Sequence, residues 1–156
     1  MRITIAAVGR AKAGPARDLY DFYATRLSER QLGALSLKEV EARGALPPEA
    51  LKAREAELLL AALPAAARLV ALDARGRALD SAGFAALIGG YRDQGLQDLA
   101  FAIGGAEGLG QGVIERAELL LSLGAMTWPH LLVRGLLAEQ LYRAQCILAG
   151  HPYHRA

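Results

Sequence analysis

Short apolar segments alternate with longer amphipathic segments along the whole chain. The short segments predict strands over residues 3–8, 35–40, 68–73, 98–103 and 119–123. Apolar residues at helical spacing predict helices over residues 15–30, 49–63, 81–94, 113–117 and 131–148. Residues 75–77, Arg-Gly-Arg, indicate a turn after the third strand. The alternation predicts an α/β fold, a three-layer sandwich around a mostly parallel five-stranded sheet.

The composition is that of one globular domain covering residues 1–156. Hydrophobic residues make up 53% of the chain and charged residues 22%, which excludes a disordered protein. The longest stretch without an Asp, Glu, Lys or Arg, residues 119–133, is too short for a membrane helix. The apolar run at residues 3–8 is too short for the core of a signal peptide. We therefore expect a cytoplasmic protein with no membrane partner.

The single cysteine cannot form an internal disulfide, and the three histidines do not form a recognisable metal site. Cys146 has no second cysteine with which to form a disulfide, and we expect it to be a small buried residue. His130, His151 and His154 do not have the spacing of zinc ligands. No metal site is predicted.

The net charge of +2 permits a nucleic-acid partner without requiring one. Contacts with RNA phosphates would depend on basic side chains gathered in one place. The candidates are Arg10, Lys12, Arg134, Arg143 and Arg155.

Unusual loops follow the third, fourth and fifth predicted strands, at the edge where parallel α/β sheets bind ligands. The loops after the fourth and fifth strands are candidate binding loops. The first lacks the G-x-G-x-x-G spacing of a dinucleotide site, although it contains Gly104, Gly105, Gly108, Gly110 and Gly112. These glycines either let the backbone approach a ligand or make a tight turn. The second loop, residues 123–130, has no Asp, Glu, Lys or Arg. It either wraps an aromatic base with its own N–H and C=O groups or is a buried connection.

The C-terminal end carries reactive side chains directly after a long helix. Residues 150–156 contain two histidines, a tyrosine and an arginine, which favours a docked, functional tail. In the helix before them, Glu139 and Arg143 are four residues apart in the order that favours an ion pair, which is typical of a solvated helix face. The apolar stripe of this helix is wide, so part of it is expected to face a partner, which predicts a homodimer.

Four segments of the sequence together resemble one known family. They are Ile-Gly-Gly-Ala-Glu-Gly at 103–108, the Thr-Trp-Pro-His segment within 123–134, Glu-Gln-Leu-Tyr-Arg-Ala at 139–144 and His-Pro-Tyr-His-Arg at 151–155. In this order, over essentially the full length, they resemble the bacterial 23S ribosomal RNA pseudouridine N3-methyltransferases of the SPOUT superfamily. Ala106 and Gly124 stand where a proline and a serine are common in that family. Neither departure removes a side chain on which a backbone-mediated site depends.

The resemblance implies a fold whose C-terminal segment forms a deep trefoil knot. It implies S-adenosylmethionine as cofactor and 23S ribosomal RNA, within the 50S subunit or the ribosome, as partner. It also implies a homodimer in which the tail of one subunit approaches the cofactor site of the other. The residues implied to touch the cofactor are Leu72, Gly104, Leu123, Gly124, Ala125, Met126, Thr127 and Trp128.

Catalysis would then depend on Arg143, Tyr153, His154 and Arg155. Tyr153 and His154 are candidates for stacking on the target base. His154 is also a candidate for accepting the N3 proton, because an imidazole titrates at about pH 6.5. Arg143 or Arg155 would instead stabilise the anionic base or hold a phosphate, and the sequence does not rank these roles.

Two other classes of protein share parts of this pattern. A flavodoxin-like or nucleotide-binding module would bind an anionic phosphate at a helix N-terminus and leave the tail without a role. A non-catalytic RNA-binding protein of ribosome assembly would need the basic residues but not the loop at residues 123–130. Binding of S-adenosylmethionine distinguishes the enzyme from both alternatives.

Overall fold

The computed structural model of the chain describes residues 1–155. The side chains of His154 and Arg155 and the whole of Ala156 lie outside the described residues. The strands are β1 (Arg2–Val8), β2 (Ala34–Val40), β3 (Arg68–Ala78), β4 (Asp98–Ile103) and β5 (Leu119–Ser122). The α-helices are α1 (Pro15–Ala24), α2 (Pro48–Ala62), α3 (Ser81–Asp93), α4 (Gln111–Arg116) and α5 (His130–Leu148), and a 3-10 helix (Pro152–Arg155) follows them. Within this part of the chain, no helix is both long and apolar enough to cross a membrane.

All five strands run parallel in one sheet with the order β2-β1-β4-β3-β5. The predicted fold class is confirmed, and the sheet is wholly rather than mostly parallel. Because β4 lies between β1 and β3, the carboxyl ends of β4, β3 and β5 are neighbours. The loops that follow these three strands therefore meet at one edge of the sheet.

The helices cover both faces of the sheet and make three layers. On one face, α1, α3 and α5 pack around a core that includes Ile5 and Phe101. On the other face, α2 and α4 pack around small side chains that include Ala6 and Ala102. Successive side chains of a strand point to opposite faces, so a strand covered on both faces is apolar throughout. This explains the continuous apolar run of β1.

The first helix is shorter than the sequence predicts. It ends at Ala24 rather than near Arg30. The N–H of Ser28 donates to Oε1 of Gln145 in α5, 2.7 Å away, instead of continuing the helix. A contact between distant segments thus overrides the local helix propensity.

The third strand is longer than predicted, and the turn predicted at residues 75–77 is wrong. The pairing with β5 is irregular, because Leu72 and Arg77 are both opposite Leu121, and the residues between them bulge out of the ladder. Gly76 is required here by a close approach of two backbones, since a Cβ on it would lie 2.5 Å from the carbonyl carbon of Leu120. The bulge lies at the edge of the sheet that carries the loops.

Candidate functional site

A cavity of about 520 Å³ opens where β4, β3 and β5 end. We call it the strand-end cavity. Its walls come from the bulge in β3, the glycine loop after β4, the loop after β5 and the first turn of α5. This volume is in the range of small-molecule and cofactor sites.

The residues implied to touch the cofactor come together in this cavity. Its lining includes Leu72, Gly104, Leu123, Gly124, Met126, Thr127 and Trp128. Ala125 lies in the same loop without being part of the lining. The side chains of Met126 and Trp128 are 75% and 40% exposed, so this loop is not a buried connection. That these residues contact a cofactor stays a prediction.

Charged side chains at the rim of the cavity were missed by the sequence analysis. They are Lys52 of α2, Asp73 and Arg75 of the β3 bulge, and Glu107 of the glycine loop. The Arg75 guanidinium hydrogen-bonds Asp73, with Nη2 and Oδ2 2.9 Å apart, and holds the pKa of that carboxyl below its ordinary value. No motif marks Lys52, because α2 meets the glycine loop only through tertiary packing. The rim presents both signs of charge to a ligand.

The glycine loop after β4 is a tight turn that also lines the cavity. The N–H of Gly108 donates to the carbonyl oxygen of Gly105, 3.0 Å away. A Cβ on Gly104 would lie 2.7 Å from the carbonyl carbon of Gly108, so the turn itself requires glycine at position 104. The sequence left open whether these glycines make a tight turn or let the backbone approach a ligand. The two roles are compatible, because the tight turn itself lines the cavity.

A buried carboxylate lies next to this turn. Glu55 of α2 is 8% exposed, and no described residue hydrogen-bonds its Oε2 atom. A Cβ on Gly105 would lie 3.2 Å from either carboxylate oxygen of Glu55, which shows how closely the turn approaches it. Burial, and secondarily the charge of Glu107, raises the pKa of Glu55. Glu55 thus lies near a second acidic side chain, that of Glu107 in the turn itself.

The first turns of α5 place one side chain at the cavity and another in the interior. His130 lines the strand-end cavity, and burial together with the charge of Arg134 lowers its pKa, which favours the neutral imidazole. Arg134 is fully buried, where it donates to the carbonyl oxygen of Val8, 3.0 Å away, and pairs with Glu39. It has no surface to offer a phosphate, so its selection as an RNA contact is wrong.

A second cavity, of about 480 Å³, flanks the first. We call it the flanking cavity. Both cavities are lined by Leu121, Leu123, Gly124 and Trp128, which therefore form the wall they share. The remaining walls come from the start of α3 and the middle of α5. No local sequence pattern predicts this cavity, because it forms where these two helices pack together.

Glu139 connects the flanking cavity to two of the predicted catalytic residues. It lines that cavity, and its Oε1 accepts from Nη2 of Arg143, 2.6 Å away, and from the hydroxyl of Tyr153, 3.2 Å away. The Arg143 guanidinium also lies 4.9 Å from the centre of the Tyr153 ring. The predicted Glu139–Arg143 pair is present, but the two side chains are only 15% and 18% exposed, so the expected solvated face is wrong.

Tyr153 and Arg143 are held away from the strand-end cavity. Neither lines it, and from residue 130 to residue 143 the helix extends about 20 Å. Burial, followed by the hydrogen bond with Tyr23 and the charge of Glu139, raises the pKa of Tyr153 far above neutral pH. Tyr153 therefore keeps its proton. The side chains of His154 and Arg155 lie outside the described residues.

The chain is similar to known proteins over its full length. A family model described as a predicted SPOUT methyltransferase matches residues 1–154. Two relatives named ribosomal RNA large subunit methyltransferase H are 61% identical over 156 residues in Rhodospirillum centenum and 60% identical over 155 residues in Paramagnetospirillum magneticum. These matches cover 100% of both chains for the first relative and 99% of both chains for the second.

One solved structure is similar to this chain in fold but not in sequence. The solved structure of a probable methylase family protein from Haemophilus influenzae has a TM-score of 0.53 at 12% identity, with 97% of this chain and 69% of that chain covered. At this identity the likeness concerns the fold only. The family itself follows from the model matched over residues 1–154 and from relatives at 60% identity and above. The chain belongs to the SPOUT methyltransferase family.

Proposed function

We propose that the protein transfers a methyl group from S-adenosylmethionine to N3 of a pseudouridine in 23S ribosomal RNA. The observation that carries this proposal is the meeting of the loops after β3, β4 and β5 at one cavity, in a chain of the SPOUT methyltransferase family. The relatives at 61% and 60% identity are named as methyltransferases of large-subunit ribosomal RNA. The position on the base comes from the sequence resemblance.

The strand-end cavity fits S-adenosylmethionine in shape and in charge. Leu72, Leu123 and Trp128 offer apolar surface to an adenine ring, and the backbone of the loop after β5 offers N–H and C=O groups to its polar edge. At the rim, Lys52 and Glu107 complement the carboxylate and the ammonium of the methionine part. When bound, this cofactor supplies an electrophilic methyl group, and the protein supplies its orientation.

A proton has to leave N3 when the methyl group is attached there. Tyr153 does not accept it, because the raised pKa of its own hydroxyl keeps it protonated. Arg143 is already paired with Glu139 and stays charged, because that hydrogen bond raises its pKa. We assign the role of proton acceptor to His154 on chemical grounds, since an imidazole titrates at about pH 6.5. Arg143, Tyr153 and Arg155 then orient the base and its phosphates.

The active unit in this proposal is a homodimer. Within one chain, Arg143 and Tyr153 do not line the strand-end cavity, which supports a tail supplied there by the partner subunit, as the family resemblance implies. Phe22 of α1 and Leu148 of α5 are 50% and 36% exposed, which is apolar surface that a second copy would cover. The trefoil knot of the C-terminal segment belongs to the same proposal, since the family resemblance implies it.

The substrate in this proposal is the large subunit or the whole ribosome, in the cytoplasm. Arg10 and Lys12 are exposed and available for phosphates, whereas Arg134 is buried. With a net charge of only +2, affinity for an isolated RNA hairpin is expected to be weak and salt-dependent. A paired base hides N3, so the target lies in a loop or is flipped out.

Two measurements test the proposed function. Calorimetry should show binding of S-adenosylmethionine, and at 100 times its dissociation constant the cofactor should raise the free energy of unfolding by about 2.7 kcal/mol. Adenosine triphosphate, a polyanion, serves as the control ligand. Mass spectrometry of 23S ribosomal RNA from cells lacking the gene should show one missing methyl group. An unchanged mass map together with no cofactor binding would support the non-catalytic alternative.

A further inference from the structure

The flanking cavity has the position that an acceptor base requires. Its shared wall with the strand-end cavity consists of Leu121, Leu123, Gly124 and Trp128. A methyl transfer needs donor and acceptor in neighbouring sites that communicate over a short distance. Leu79, Phe84 and Leu136 add apolar surface of the kind that covers the faces of a flat ring.

Gln140 lines this cavity, and hydrogen bonds with two neighbouring side chains determine the orientation of its amide. Its Oε1 accepts from the Ser81 hydroxyl, 2.8 Å away, and its Nε2 donates to Oε2 of Glu139, 2.7 Å away. A carboxylate only accepts, so the second contact determines which end of the amide carries the N–H groups. An amide has two N–H groups and two lone pairs on its oxygen. Gln140 therefore retains one donor and one acceptor for a ligand.

The other polar side chains of the cavity each make a hydrogen bond within the chain. The Asp80 carboxylate caps α3 by accepting from the N–H of Gly83, 2.7 Å away. Glu139 is paired with Arg143 and accepts from Tyr153. A ligand in this cavity therefore meets mainly apolar walls and one amide with a free donor and a free acceptor. This combination suits a nucleobase that presents an adjacent N–H and C=O.

We propose that the flanking cavity receives the target base and that Gln140 hydrogen-bonds its N1–H and O2, so that pseudouridine is accepted and uridine is rejected. This inference rests on the proposed function. In pseudouridine the sugar is attached through carbon, so N1 carries a proton beside the C2 carbonyl. In uridine N1 carries the sugar. Uridine offers an N–H beside a carbonyl only at N3, and pairing there would block the atom that is to be methylated.

The test compares two substrates that differ only at the target nucleotide. Ribosomes from cells lacking this methyltransferase carry the unmethylated pseudouridine, and ribosomes from cells that also lack the pseudouridine synthase carry uridine there. The wild type should prefer the first by about 10- to 100-fold in kcat/KM, the usual effect of a two-point contact. Gln140→Leu should lower kcat/KM on the pseudouridine ribosomes until the ratio is near one.

Controls separate recognition of the base from other effects of the substitution. Gln97→Leu, at an exposed glutamine next to the opposite end of β4, should keep the wild-type ratio. Affinity for S-adenosylmethionine and the melting temperature should be unchanged in Gln140→Leu. If that variant does not fold, the ratio in Gln140→Glu decides instead, because the carboxylate accepts from N1–H but has no N–H for O2. A lowered ratio in that variant supports the proposal.

Three outcomes overturn the inference. The first is a wild-type ratio that persists when Gln140 is replaced. The second is a loss of dimerisation with an unchanged ratio, which would assign the flanking cavity to contact with a second copy of the chain. The third is methylation of neither ribosome by the wild type, which removes the proposed function as well. The first two leave the proposed function intact.

Discussion

Arg134 and Glu39 form an ion pair that joins α5 to the ends of β1 and β2. The Arg134 side chain has no exposed surface, and that of Glu39 is 22% exposed. Arg134 also donates to the carbonyl oxygens of Val8 and Gly9, 3.0 and 3.1 Å away. The helix that begins at the strand-end cavity is thereby fixed to the sheet.

Removal of the carboxylate should be costly, because it leaves a buried guanidinium without its counter-charge. We expect Glu39→Ala to lower the free energy of unfolding by about 3 kcal/mol. Glu41→Ala, two residues further on at an exposed position, is the matched control and should change it by less than about 0.5 kcal/mol. Urea unfolding of the three proteins gives both values. Equal midpoints for Glu39→Ala and the control would show that the pair contributes no stability.

Two glycines that follow β4 should respond differently to the same small change. Gly104→Ala should destabilise the fold by about 1–3 kcal/mol, because the new Cβ would lie 2.7 Å from the Gly108 backbone. Gly112→Ala in α4 should be neutral or stabilise by up to about 1 kcal/mol, since its nearest neighbour, Leu60 Cδ1, is 3.9 Å away. Thermal unfolding tests the pair. Equal melting temperatures would mean that the glycine turn adapts freely.

The alternation of strands and helices was predictable because both periodicities are local. β1 is a continuous apolar run, and a strand covered on both faces has to be one. The errors come from contacts between distant segments. The end of α1 is set by Gln145, and the extension of β3 depends on the approach of Gly76 to Leu120. Neither contact has a signature in the residues around it.

Some residues of the candidate site were also predictable from local sequence patterns, and others were not. The glycine loop and the loop at residues 123–130 were recognisable, since an unusual composition after a strand is a local signal. Lys52 and Glu55 were not, because they lie on a helix whose sequence resembles any other amphipathic helix. Gln140 lies in one of the segments that carry the family resemblance, but its neighbours in space, and so its role, could not be read from the sequence. Arg134 was misassigned for a physical reason: sequence gives its charge but not its burial. Which basic residues face the solvent is decided by tertiary packing.

The loop side chain Trp128 should contribute to cofactor binding. It lines both cavities and is 40% exposed, so its truncation should leave the core unchanged. We expect Trp128→Ala to weaken binding of S-adenosylmethionine by about 3- to 10-fold, the value of one aromatic contact. Leu46→Ala removes an equally exposed apolar side chain that lines neither cavity and should leave the dissociation constant unchanged. Calorimetry with equal effects of both substitutions would argue against a specific contact.

Glu55 should make stability depend on pH. Its pKa is raised by burial, so the folded state favours the protonated form, and the stability present below the ordinary pKa of 4.5 is lost as the pH rises through the raised value. Glu55→Gln removes this loss. Its melting temperature should equal that of the wild type near pH 4 and exceed it at neutral pH. Glu57→Gln, on the exposed side of α2, should show no such divergence. If the melting temperatures of wild type and Glu55→Gln differ by the same amount at pH 4 and at neutral pH, the burial effect is contradicted.

The tail after α5 should be needed for methyl transfer but not for folding. It follows the last core helix, and Tyr153 contacts α5 through its hydroxyl, 3.2 Å from Glu139 Oε1, and through its ring, whose centre is 4.9 Å from that of Tyr142. Tyr153 belongs to neither hydrophobic core. A chain that ends at Gly150 should therefore keep its fold and its affinity for S-adenosylmethionine while losing activity on ribosomes. Circular dichroism, calorimetry and single-turnover methylation test the three statements in turn.

Single substitutions distinguish the roles within the tail. His154→Ala should lose about 10² to 10⁴-fold in the single-turnover rate if that imidazole accepts the N3 proton, and it should abolish the rise of rate with pH near the histidine pKa. Tyr153→Phe should keep this pH profile, because the raised pKa of Tyr153 keeps its hydroxyl protonated throughout. Its loss should instead appear in the dependence on ribosome concentration, as expected for a side chain that positions the base. If the shortened chain methylates at the wild-type rate, the tail is not catalytic, and the residues around the two cavities have to provide the proton acceptor themselves.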